Sequence, residues 1–159
     1  MMRDDRGTAA LTTLVMLPLL LSVLVGVLEF GALRAVVYRA GAAADLATIV
    51  AVSDQDQAEL ARTGKLRLAP DAAETARDYF AHNLASTAPA LALSVGEIAA
   101  SADIATFTAV PSLDPLTGAR YDRPTVRLIA SVPVRTPGFA VLFMPSVTTI
   151  TIHSASSPR

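Results

Sequence analysis

The apolar positions of this chain fall into three successive patterns, each predicting a different kind of element. From Thr8 to Leu28 the sequence reads TAALTTLVMLPLLLSVLVGVL, without one charge. As a helix that run is about 31 Å long, which matches the hydrocarbon thickness of a bilayer. Arg3, Asp4, Asp5 and Arg6 flank it on one side, Glu29, Arg34 and Arg39 on the other. The spacing predicts a membrane-spanning helix over 8–28. Pro18 denies the Leu14 carbonyl its helical partner and predicts a kink there. A cleaved secretory signal fits less well, because its apolar core would be roughly 7–15 residues. Apolar character also runs on through Gly31–Val37, and the A-x-A site at Ala40-Gly41-Ala42 lies well beyond the apolar core. A buried soluble helix would need cover on all sides, which a chain this small cannot supply.

The second pattern is a proline-free stretch from Glu29 to Val52 that continues the helix. Its AGAAADLATIVAV segment is alanine-rich, with Asp45 as its only charge. Such a helix outside a membrane needs partners on most faces, and small side chains let other backbones approach closely. Those partners are its own C-terminal domain, a bundle of subunits, or both on different faces. Ser53-Asp54-Gln55-Asp56 reads as a break with a fresh N-cap, opening a short helix to Arg62 that Thr63-Gly64 ends. Asp71-Ala72-Ala73-Glu74 has the form of a capping box. The helix it opens, Ala72 to about Ala85, places Ala73, Ala76, Phe80 and Leu84 on one stripe, with Tyr79 beside it.

After Pro89 the period shortens to that of strands. LALSVGEI (91–98) and DIATFTAV (103–110) predict a hairpin, followed by a proline-bearing loop over 111–124. In TVRLIASVPV (125–134), Val126, Leu128, Ala130, Val132 and Val134 share one face, opposite Arg127, Ser131 and Pro133. Pro133 favours an edge position, because it cannot donate to a ladder. PGFAVLFMP (137–145) is a short apolar run between prolines, and SVTTITIHS (146–154) is the last strand. The expected fold is α+β: a long N-terminal membrane-spanning helix extending outside the bilayer, then short helices and a small antiparallel sheet. The expected division is a charged leader over 1–7, the span over 8–28, a continuing helix over 29–62 and a small domain over 63–159.

Composition narrows the chemistry. The chain is 52% hydrophobic and 17% charged, with a formal charge of -1, two His, no Cys and no Trp. Disulfide and thiolate-metal sites are excluded, and no basic footprint for nucleic acid is present. No Gly-x-Ser-x-Gly elbow, Walker loop or dinucleotide fingerprint occurs. Asp114 and Asp122 miss the spacing of a calcium loop. His82 follows Asp78 by one helical turn and reads as a surface pair, and His153 reads as structural. Neither catalytic residues nor a metal, cofactor or small-molecule substrate is expected.

The N-terminal segment RGTAALTTLVMLPLLLSVLVGVLEFGALR resembles the opening of TadE/TadG-like proteins, the minor pilin-like components of the tight-adherence (Flp) pilus. Arg6-Gly7 before the apolar run, Leu17-Pro18-Leu19-Leu20-Leu21 within it and Glu29-Phe30-Gly31 at the membrane edge carry the likeness. Ala42-Ala43-Ala44-Asp45-Leu46-Ala47 resembles the family's small-residue stretch, so the likeness covers roughly residues 6–52. It implies a single-pass protein of the bacterial cytoplasmic membrane, its N-terminus inside and its domain outside. It also implies processing between Gly7 and Thr8 by a prepilin peptidase, and assembly with other pilus or secretion-apparatus subunits. Thr12 stands where pilin-like proteins generally carry Glu. The alternative function is a membrane-anchored extracytoplasmic binding domain that never enters a filament.

Overall fold

The computed structural model describes residues 5–64 and 67–158, with side chains from Thr12 onward. Leucine and alanine dominate the first third of the chain, and both favour helix over every alternative. The result is one helix, α1, from Asp5 to Ser53, assigned without interruption through Pro18. Its 49 residues make it about 74 Å long. By length and composition it is apolar enough to cross a membrane from Thr12 onward.

The two ends of α1 have different surroundings. Between Leu14 and Leu24 every large apolar side chain is exposed. From Val36 a stripe appears: Val36, Ala40, Ala43, Ala44, Ala47, Thr48, Ala51 and Val52 are buried. Their spacing of three and four residues is that of one helical face. This face packs into the same core as Phe80, Leu84, Leu128 and Val132. The alanine-rich stretch thus packs on the chain's own domain, the first of the partners expected for it.

Helix α2, Gln57–Thr63, follows the expected break. Asp56 caps it by accepting from the Glu59 amide, and Gly64 closes it in the left-handed region, φ 68°. Helix α3, Ala72–Leu84, buries Ala72, Ala76, Phe80 and Leu84. The predicted stripe is displaced at its start, with Ala72 in the core and Ala73 only half-buried. The expected capping box is not formed, because Asp71 has φ -96° and ψ 9° and its side chain makes no cap bond. A capping side chain needs extended backbone, whereas here a turn bonding the Ala72 amide to the Ala69 carbonyl leads into the helix.

The segment expected as a first strand is mostly helix. A 3₁₀ turn over Ala85–Ala90 leads to Leu91, which makes only an isolated bridge to Val134. Helix α4 then runs from Val95 to Ser101. Ser94 and Glu97 form a complete capping box, each side chain bonded to the other's backbone amide. Those two local bonds, with burial of Ile98 and Ala99, outweigh the apolar alternation of LALSV.

The sheet has the order β1-β4-β5, with both pairs antiparallel. Its strands are β1, Asp103–Phe107, β4, Thr125–Arg135, and β5, Val147–Ser156. Within the expected loop, β2, Ser112–Leu113, and β3, Arg120–Tyr121, make a separate short ladder. The inward face of β4 is as the alternation predicts, with Val126, Leu128, Ala130, Val132 and Val134 all buried. Pro133 lies in the central strand, yet beyond the end of β1, which pairs only with residues 125–129. Its carbonyl accepts from the Ala92 amide at 2.9 Å. The proline nitrogen therefore faces that same side, and no bond to β5 is lost. A short helix, α5, Pro137–Val141, lies between β4 and β5. Helices α1, α3 and α4 cover one face of the sheet, while Thr149, Thr151 and His153 stay exposed on the other.

Candidate functional site

The N-terminal part of α1 carries most residues that the sequence singles out. Met1–Asp4 lie outside the described residues. Gly7 and Thr8 fall in the first turns of α1, their side chains outside the described set. Thr12 is on an exposed surface. Ser22 donates its hydroxyl to the Pro18 carbonyl at 2.8 Å, one turn back. That bond engages a carbonyl in the turn that proline perturbs.

Glu29, Phe30 and Gly31 have separate environments. Glu29 is half-buried, its carboxylate laid over Gly138 of α5. A Cβ on Gly138 would stand 2.6 Å from Glu29 Oε2 and 3.2 Å from Val25 Cγ1. Gly138 thus permits a contact that no other residue permits without displacement. Phe30 points away into solvent, 58% exposed. With Leu33, Arg34, Val37 and Tyr38 it lines an open recess of about 330 Å³. Arg34 bonds the Tyr38 hydroxyl at 3.3 Å and lies 5.7 Å from its ring centroid. Gly31 has no atom within 4 Å of a Cβ position and makes no close approach.

A hydroxyl latch joins α1 to β5, and sequence reasoning missed it. Thr48 Oγ1 lies 2.9 Å from both Ser154 Oγ and Ser156 Oγ. Ser154 in turn donates to Asp45 Oδ1 at 2.7 Å. Asp45, the single charge of the alanine stretch, thus ends a polar chain across the helix–sheet seam. The faint signal was Asp45 and Thr48 one turn apart in an apolar run, opposite alternating serines. His153 faces the other side of β5, so strand alternation keeps its imidazole from Ser154 and Asp45.

Arg127 is the second feature the alternation hid. It occupies the expected outward face of β4, yet its side chain is 4% exposed. Its Nη2 donates to both oxygens of Asp103 at 3.1 Å. Its Nε lies 3.4 Å from Asp114 Oδ2, as an ion pair without hydrogen-bond alignment. Asp114 is shut from solvent by its own turn. It accepts from the Leu116 amide at 3.0 Å and from the Thr117 hydroxyl at 2.6 Å. Burial pushes its carboxyl up, but Thr117, Leu116 and Arg127 together outweigh that and hold it below its ordinary range. Asp122 is exposed and pairs with Arg120 instead. The cluster is a clasp from β2–β3 to the sheet.

His82 and Asp78 sit with Tyr79 around an open recess of about 360 Å³. Among the described residues no ion pair joins them, and no group of three or more His, Asp or Glu could hold a metal. No family model, no curated protein and no solved structure matches this chain.

Proposed function

We propose that this chain is a minor pilin-like structural subunit of a Tad/Flp-type pilus or related secretion apparatus. It is anchored by one membrane-spanning segment over residues 8–28 and acts by helix packing rather than by turnover. The observation that carries this reading is the division of α1. One continuous helix exposes large apolar side chains from Leu14 to Leu24 and buries an alanine stripe from Val36 to Val52. A helix that is apolar on all sides and uncovered by its own domain requires lipid or the helices of other subunits. A secretory signal cut after Ala42 would remove Val36 and Ala40 from the core, which argues for retention of the helix. The proposed orientation puts the N-terminus inside, with the residues that follow the span on the outer side.

Two measurements on the full chain test the proposal. Carbonate extraction of membranes should leave the protein in the pellet, and release into the supernatant would defeat the anchor. N-terminal sequencing after co-expression with a prepilin peptidase should find Thr8 first. A start at Met1 would remove the processed-pilin reading, leaving a membrane-anchored binding domain. A start near Ala43 would restore the secretory signal.

A further inference from the structure

A second apolar surface sits beside α1, in the connection between β4 and β5. Arg135 pairs with Val147, yet the chain makes a long excursion, TPGFAVLFMPS, before returning. No residue of that excursion is charged. Its base is pinned by the Thr136 amide on the Ser146 carbonyl at 2.7 Å. Its tip is closed by the Leu142 and Met144 amides, both bonded to the Phe139 carbonyl at 2.9 Å. Phe143 at that tip is 100% exposed, with Val141 at 66% and Met144 at 51%. Its φ of 59° lies in the left-handed region, which is costly for a bulky side chain.

The position of this surface along α1 decides what it meets. Gly138 lies against Glu29 and Val25. Further along the excursion, Leu142 Cδ1 approaches Gly26, at 3.5 Å from a Cβ position there. Gly26 belongs to the charge-free run and precedes its end at Leu28 by about 3 Å of helix. The excursion therefore lies against the last turn of the run, between Val25 and Glu29. A lipid boundary at Leu28 would stand level with the exposed tip. Aromatic and aliphatic side chains favour that interfacial depth.

We propose that residues 136–146 form a membrane-docking tip that dips Phe143, Val141 and Met144 into the headgroup–acyl boundary beside α1. The domain is then held on the bilayer at two points, and its tilt about the end of the span is restricted. This proposal rests on the anchor reading above. Lipid is favoured over a second protein copy by continuity with the span, by the matching depth and by the absence of charge throughout the excursion.

The chain has no native cysteine, so single labels are clean. Phe143→Cys, Leu20→Cys and Leu113→Cys are each made in the full chain. Each carries an environment-sensitive fluorophore and is placed in phosphatidylcholine–phosphatidylglycerol vesicles. The lipids are brominated either near the acyl carbonyl or at mid-chain. The L20C label should lose emission chiefly to mid-chain bromines, and the F143C label chiefly to shallow ones. The L113C label, on an exposed β2 side chain, should lose emission to neither. If F143C behaves like L113C while L20C is quenched, the docking tip is overturned and the anchor stands. If F143C is shielded from aqueous iodide but untouched by bromine, a protein covers the tip and the lipid assignment falls. Loss of quenching at L20C would remove the anchor itself, and the tip with it.

Discussion

The two halves of α1 are built from similar apolar fractions and end in opposite environments. From Leu14 to Leu24 the side chains are mostly leucine, valine and methionine, and they are exposed. From Ala40 to Ala51 the buried positions are mostly alanine. Hydrophobicity alone does not separate the halves; side-chain size does. Alanine lets Phe80 and Leu84 of α3 and the strands approach the helix backbone, so the domain can close over it. Leucine fills a wider cylinder, which this domain does not cover.

The largest expected effect is on the covered half. Phe80→Ala empties a fully buried aromatic site in the core that α1 shares with α3 and the sheet. It should cost about 3–5 kcal/mol in urea unfolding followed by circular dichroism. Its membrane retention should be unchanged, because no contact of the exposed half is touched. Leu20→Arg reverses the pattern. A guanidinium near the middle of the proposed span costs roughly 2.5–3.5 kcal/mol for insertion, read as protein released by carbonate. Domain unfolding should keep its midpoint, and a shift there would mean that the halves are coupled.

The size rule itself is tested by Ala44→Leu, which gives the buried half a residue typical of the exposed half. Ala44 has no exposed surface, so overpacking should destabilise the domain by about 1–3 kcal/mol. A neutral result would show that α1 is held more loosely than its burial indicates. The smallest effect belongs to a region remote from α1. Asp114 titrates below its ordinary value of 3.8 in the folded chain. The unfolded chain therefore takes up its proton first as pH falls. The contribution is complete well above 3.8 and is lost as pH drops through the lower folded value. Asp114→Asn should lower stability at neutral pH, by leaving Arg127 to Asp103 alone. It should also flatten the acid limb of stability plotted against pH.

Legibility followed the range of the interactions. The charge-free run, the inward face of β4, the β-branched β5 and the Asp56 and Gly64 caps depend on neighbours in sequence, and all were readable. Ser94-x-x-Glu97 was equally local, but the alternation of LALSV concealed it. Alternation puts Arg127 on an outward face, because it describes geometry and ignores what covers a strand. Its partners, Asp103 and Asp114, arrive only once β1 and the β2–β3 ladder are placed. The contact of Gly138 with Glu29 joins residues more than a hundred positions apart, and only the proline-bounded apolar run marked that segment at all. For the candidate site, the long apolar helix was visible from composition, whereas the Thr48–Ser154 latch needed the sheet to exist first.

That latch also sets an order of events during synthesis. Thr48 and Ser154 are 106 positions apart, so β5 leaves the ribosome long after α1. At about 5–20 residues per second, α1 waits on the order of 5–20 s for the strand that covers its seam. Throughout that interval Asp45 and Thr48 lack their serines, while α3, already made, covers part of the alanine stripe. A translational pause anywhere between Thr48 and Ser154 would prolong that state. The seam between α1 and the sheet stays open until β5 arrives.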